Sequence, residues 1–198
     1  AVFGPDASNL DLFELARPSI AAALSGTNAT ILAYGQTGSG KTHSMLGSIA
    51  DPGLVPRAIQ AIWRHIRQSH KEWSVSMTFA ELYNDAFRDL LLDRQSGRAL
   101  PCEEEEARRA RLAITLREIR GRNGAPPAAY LTGSPSFRTP VADAEHAIAL
   151  LHRGIAARAV GSTSLNQASS RSHAVLTFDL EAVDTSAGDA DVQSSRIH

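Results

Sequence analysis

The sequence predicts an α/β fold with a mainly parallel central sheet flanked by helices, and two observations predict it. Segments of helical periodicity alternate with segments of strand periodicity along the 198 residues, the order that lays helices on a parallel sheet. One short apolar run, Thr30-Ile31-Leu32-Ala33-Tyr34, also leads straight into a glycine-rich loop at Gly35. Ligands of such folds sit at the carboxyl ends of strands, so the ligand is expected at that loop. At this length and with 43% hydrophobic residues, one domain with a sizeable core is the expectation.

The elements follow in order. From Asp11 to Leu24 the residues Leu12, Leu15, Ala16, Ile20, Ala23 and Leu24 recur at helical spacing, with Pro18 a kink or early break and Gly26 a stop. Thr30 to Tyr34, partly β-branched and bounded by Gly35, reads as a strand buried on both faces. Ile59, Ile62, Trp63 and Ile66 mark a helix after Pro56, a residue suited to a first helical turn. Trp73, Val75, Met77 and Phe79 alternate with Ser74, Ser76 and Thr78, the period of a half-buried strand. Residues 93–140 read as an edge excursion with long loops and short strands near Leu112–Leu116 and Ala129–Leu131. Ala144, Ala147, Ile148, Leu151 and Ile155 restore a helix, with Asp143 a cap or a first-turn acid, fraying near Gly161. Leu176, Phe178, Leu180 and Ala182 give another strand before a polar turn at Ser186–Gly188.

Charge and cysteine content exclude several classes. A formal net charge of −1 lacks the basic excess that draws a chain generally to nucleic acid or anionic lipid, so any polyanion must meet a local site. Neither partner is expected, and no apolar run approaches a membrane-spanning length. The single cysteine, Cys102, cannot form an internal disulfide, which favours a reducing, intracellular compartment. The chain does not start with Met and stops at Arg196-Ile197-His198; the expectation is a piece of a longer protein.

Gly35-Gln36-Thr37-Gly38-Ser39-Gly40-Lys41-Thr42 satisfies G-x-x-x-x-G-K-[ST] in full, where the mechanism needs it, between a strand and a helix. Glycines let the backbone curl until its N–H groups face phosphate oxygens. Lys41 then reaches the β- and γ-phosphates as a point charge, the Thr42 hydroxyl ligates Mg²⁺, and the following helix adds its positive end. Lys41 stands out further because Lys71 is the one other lysine in the chain. A second constellation, Asn166-Gln167-Ala168-Ser169-Ser170-Arg171-Ser172-His173, is too polar to bury without partners. Its hydroxyls suit a terminal phosphate and a metal-bound water, and Arg171 suits a fork to a carboxylate or phosphate. Taken alone, such a run is more often a solvated loop.

Tyr34 through Thr42 and Asn166 through His173 resemble the P-loop and switch I of kinesins. Val2-Phe3-Gly4-Pro5-Asp6-Ala7, Gly53-Leu54-Val55-Pro56-Arg57-Ala58, Glu81-Leu82-Tyr83-Asn84-Asp85 and Arg88-Asp89-Leu90-Leu91 also look like kinesin segments, in that family's order. The resemblance runs over almost the whole chain and is weakest from Asp93 to Pro140. It implies a P-loop NTPase fold, with residues 1–198 a partial motor domain lacking the first strand and the strands after switch I. It places Gly35 through Thr42 around the phosphates of ATP and His43 beside the adenine. It makes Ser169 and Ser170 the serines that close on the γ-phosphate and the Mg²⁺ shell, with Ser170 and Thr42 near the metal and Asn166 alongside. In the family Arg171 pairs with a glutamate of switch II, in an Asp-x-x-Gly-x-Glu segment that this sequence does not contain.

The function so implied is that of an ATP-hydrolysing, microtubule-based motor in the cytoplasm, on the cytoskeleton; residues 1–198 alone are expected to be inactive. The rival is a kinesin-like module that binds nucleotide or microtubules without motor activity. Direction of travel, cargo, subfamily and oligomeric state belong to the neck, stalk and tail. Glu103 to Glu106 read as a solvated charge run, and Cys102 as an ordinary loop thiol. His65, His70, His146 and His152 read as surface or packing residues, and Trp63 and Trp73 as core. The arginines at 108, 109, 111, 117, 120 and 122 read equally as a solvated loop or as an aid to docking on acidic tubulin.

Overall fold

The computed structural model describes residues 2–4, 6–91, 114–119, 128–133, 137–163, 172–184 and 191–198. Four helices are assigned there: α1 (Asn9–Leu24), α2 (Lys41–Leu46), α3 (Leu54–Gln68) and α4 (Ala144–Thr163). The strands are β1 (Glu72–Tyr83), β2 (Ala86–Asp89), β3 (Thr115–Ile119), β4 (Ala128–Thr132), β5 (Thr139–Pro140), β6 (His173–Asp184) and β7 (Asp191–Ile197). A five-stranded sheet runs β2-β1-β6-β7 with β5 also on β1, and β3 and β4 form a separate hairpin.

The mainly parallel sheet expected from the sequence is not what forms. β1 pairs antiparallel with β2, β6 with β7, and β3 with β4. The reason is connection length: β1 and β2 are joined through Asn84 and Asp85, both at positive φ, and a parallel pair needs a crossover of a dozen residues or more. A parallel bridge does join Ala29 to Ile197. Thr30 to Tyr34 is a second correction. Ile31 N–H donates to the His198 carbonyl at 2.8 Å, but residues 32–34 are assigned no strand, and Leu32 and Tyr34 are 81% and 94% exposed.

The described chain divides into two compact units, and β1, β6 and α4 each contribute to both. In the first, α1 and α3 pack on each other, α2 on α3 and α1 on β7. Ile20, Ile59 and Ile62 are almost wholly buried there, and Trp63 meets Phe178 edge-on. Ser8 and Asp11 form a reciprocal capping box at the start of α1, which holds the Asp11 carboxyl below its usual pKa, the Ser8 side chain contributing most. Pro18 stands inside α1 and does not end it. Pro56 lies in the first turn of α3, and the Asp143 carboxylate accepts from His146 N–H at 2.7 Å, both as expected. Trp73 is half-buried, with its ring edge-on to His65.

In the second unit, Ala80, Ile114 and Phe137 form a small core with Phe87 and Leu131. The half-buried alternation expected for β1 holds only at its start, because Met77 through Glu81 are all buried. The short strands expected near 112–116 and 129–131 are the hairpin of β3 and β4, and Arg117 is exposed on β3. Cys102, the acidic run 103–106, the arginines at 108, 109, 111, 120 and 122, and the turn at 186–188 lie outside the described residues. No described helix is long and apolar enough to cross a membrane.

Candidate functional site

The glycine-rich loop is placed by contacts that begin at the end of α1. The last carbonyls of a helix have no intrahelical donor, and β7 supplies donors: Ser195 Oγ donates to the Ala23 carbonyl at 2.5 Å and Gln193 Nε2 to that of Leu24 at 3.2 Å. Gly26, at φ +92°, turns the chain beside Gln193; a Cβ there would stand 2.9 Å from Gln193 Cγ. Asn28 Oδ1 then accepts from Arg196 N–H at 2.9 Å. Ala29 and Ile31 follow, hydrogen-bonded to Arg196 and His198. The His198 imidazole lies 3.0 Å from Thr177 Oγ1. Burial, and secondarily Arg196, hold its pKa below the ordinary histidine value, with Asp179 opposing them.

Beyond this ladder the loop curls. Gly35, Gly38 and Gly40 have φ of 155°, 83° and 89°, conformations that a side chain resists. At Gly35 a Cβ would also meet Ser39 Oγ at 2.5 Å. Ser39 N–H closes the turn on the Gln36 carbonyl at 3.2 Å. The Lys41 ammonium reaches back to the Gly35 carbonyl at 2.7 Å and the Gln36 carbonyl at 2.8 Å. A free lysine would extend into water; here the charge is held against the loop's own backbone, with two of its three donors placed among the described residues. Gln36 through Gly40, Thr42 and His43 are exposed, and Gly35 and Lys41 half-buried.

α2 ends after six residues at Gly47, φ 68°. The chain returns at once: Ser48 N–H donates to the Asp51 carbonyl at 2.9 Å, and Gly53 N–H to that of Leu46 at 3.0 Å. Asp51 fixes this return to both neighbouring helices. Its carboxylate accepts from Asn9 N–H at 3.2 Å and Arg57 Nη2 at 3.1 Å, and its carbonyl from Asn9 Nδ2 at 3.2 Å. Arg57 Nε donates to the Pro52 carbonyl at 2.8 Å. The Gly53-Leu54-Val55-Pro56-Arg57-Ala58 segment thus carries the contacts that seat α3 beside α2.

Of the second constellation, Asn166, Ser169, Ser170 and Arg171 lie outside the described residues. Ser172 is half-buried, and His173 is exposed as the first residue of β6. Arg158 on α4, which no motif singles out, donates through Nη2 to Ser172 Oγ at 3.1 Å. A signal for it was present: it is the one charge in Gly154-Ile155-Ala156-Ala157-Arg158-Ala159-Val160.

The loop's donors suit a polyphosphate. Curled glycines leave room at Gly38 and Gly40, where a Cβ would meet nothing within 4 Å, and a lysine charge stands beside them. When bound, ATP would supply a terminal phosphate poised for transfer to water; Lys41 and the loop amides would hold its phosphates, and the exposed Thr42 hydroxyl an accompanying Mg²⁺.

The family model of the kinesin motor domain matches residues 1–198. The chain is 34% identical to the kinesin-like protein cut7 of Schizosaccharomyces pombe, over 90% of this chain and 16% of that protein. It is 37% identical to the human kinesin-like protein KIFC2, over 91% of this chain and 19% of the relative. A solved fast kinesin, described for its ATPase mechanism and interactions with microtubules, superposes with a TM-score of 0.80 at 27% identity, covering 99% of this chain and 50% of the other. The chain therefore spans under a fifth of those two relatives and half of the solved neighbour, and it belongs to the kinesin motor domain family.

Proposed function

We propose that this chain binds ATP with Mg²⁺ in the loop from Gly35 to Thr42 and hydrolyses it as part of a microtubule-based motor on the cytoskeleton. The observation that carries the reading is the Lys41 ammonium folded onto the Gly35 and Gln36 carbonyls within a loop whose glycines take positive φ. Membership of the kinesin motor domain family supports microtubules as the partner. In this reading Lys41 turns its third donor to the β- and γ-phosphates, Thr42 holds the metal, and His43 lies beside the base. Ser169 and Ser170 sense the γ-phosphate, Ser170 next to the metal, with Asn166 and Arg171 completing the switch. Preorganised donors of this kind act most strongly on charge that develops in the transition state.

Calorimetry with Mg·ATP on the full-length protein tests the assignment. Lys41→Ala removes the loop's cation and is expected to weaken binding by more than a hundredfold. A loss within about tenfold, roughly 1.4 kcal/mol, would show that the loop does not hold nucleotide through Lys41. ATP turnover unaffected by microtubules would favour a binding module over a motor.

A further inference from the structure

Away from the glycine-rich loop, the second compact unit holds a carboxylate that the proposed chemistry does not use. Glu81, near the end of β1, is 8% exposed, and a buried carboxylate is retained only with partners. It has two. Arg88, opposite it in the register with β2, donates through Nη2 to Glu81 Oε2 at 2.5 Å, and Arg158 donates through Nε to Oε1 at 3.2 Å. The Arg158 fork then continues outward: its Nη2 reaches Ser172 Oγ at 3.1 Å and the Ser172 carbonyl at 3.4 Å. Arg88 Nη2 reaches the carbonyl of Ala157 at 3.4 Å, one residue before Arg158 on α4.

The two arginines share one carboxylate and differ in what else they hold. A guanidinium is planar and rigid, so once Glu81 fixes Nε of Arg158, the direction of Nη2 is fixed with it, and so is the place of Ser172. Ser172 is bonded to Arg171 and stands two residues from Ser170. We infer that Glu81 and Arg158 are positioning residues that hold Ser172, at the C-terminal end of the 166–173 run, in place for the chemistry proposed for that run. The inference rests on the proposed role of that run in ATP hydrolysis. Arg88 shares the charge of Glu81, but its hydrogen bonds go to Glu81 and the Ala157 carbonyl and not to Ser172.

That difference supplies the test. Arg158→Gln and Arg88→Gln each remove one guanidinium from the same carboxylate, so a purely structural role predicts equal effects. The readouts are kcat and KM for ATP with saturating microtubules, ADP affinity and the thermal midpoint, all in the full-length protein. Arg158→Gln is expected to lower kcat at least tenfold with ADP affinity within threefold of wild type, while Arg88→Gln lowers kcat no more than threefold. Equal kcat losses in the two variants, or wild-type turnover in Arg158→Gln, would overturn the inference while leaving the proposed function standing. A wild-type protein without ATP turnover would instead overturn the proposed function and this inference with it. If Arg158→Gln does not fold, Arg158→Lys carries the test, because it keeps a positive charge beside Glu81 and loses the fork to Ser172; the same kcat loss supports the inference, and wild-type turnover overturns it.

Discussion

Asp51 shows how much a single side chain arranges near the loop. It serves the first N–H of α1, that of Asn9, which no helix satisfies internally, and it also neutralises Arg57 on α3. Asn9, which it holds from both its carboxylate and its carbonyl, is 5% exposed, so water is poorly placed to substitute. Asp51→Ala is expected to destabilise the fold by about 1–3 kcal/mol, the cost of leaving such donors unpaired, read as a shift in the urea midpoint. Asp51→Asn, whose amide oxygen still accepts, should lose less; equal losses would point to the charge and not the hydrogen bond. The sequence advertised Gly53 and Arg57 through their likeness to kinesins, yet Asp51 carried no pattern of its own. Its importance arises from Asn9, 42 residues away.

At the scale of elements, Gly154 reverses a general rule. Glycine inside a helix costs about 1 kcal/mol relative to alanine, so Gly154→Ala in α4 would ordinarily stabilise. Here an added Cβ would run into the Phe79 ring, at Cδ1 and Cε1, and overpacking costs about 1–3 kcal/mol. Gly154→Ala is therefore expected to lower stability in denaturant unfolding; a gain would mean that Phe79 moves aside at little cost. The helices α1, α3 and α4, and the strands β1 and β6, were legible because their apolar residues repeat at 3.6 or 2. β7 was not. Asp191-Val192-Gln193-Ser194-Ser195-Arg196-Ile197 carries no apolar alternation, and it is ordered instead by Ser195, Gln193 and Arg196 bonding to the end of α1 and the turn after it. β2, with four residues, is too short to show a period.

For the molecule as a whole, the glycine-rich loop stood out in the sequence because its motif is contiguous, and the chain does curl there through positive φ at Gly35, Gly38 and Gly40. The lysine's return to the Gly35 and Gln36 carbonyls is a property of the fold that the motif does not spell out. Sheet direction was misread for a related reason. Alternating helices and strands suggest parallel pairing, but β1 with β2 and β6 with β7 are neighbours in sequence, and local pairing wins when the connection is short. Thr30 to Tyr34 read as a strand buried on both faces from its apolar pattern, and among the described residues the ladder bonds here are those of Ala29 and Ile31.

That ladder has a consequence in time. Asn28 and Arg196, beside the bridge, are 168 positions apart, so during synthesis the loop leaves the ribosome long before the residues that pair with its approach exist. At roughly 5–20 residues per second the interval is on the order of ten to thirty seconds. Throughout it the amide of Ile31 lacks the His198 carbonyl, and contacts so distant are the last to be rewarded. Ribosome-bound chains stalled at successive lengths should therefore show no slowing of hydrogen exchange at Ile31 until residues 196–198 have cleared the exit tunnel, and then an abrupt rise in protection. Protection in shorter chains would mean that the approach pairs first with another segment and exchanges partners later. In either case a nascent chain shorter than this presents the glycine-rich loop before it presents the frame that aims it.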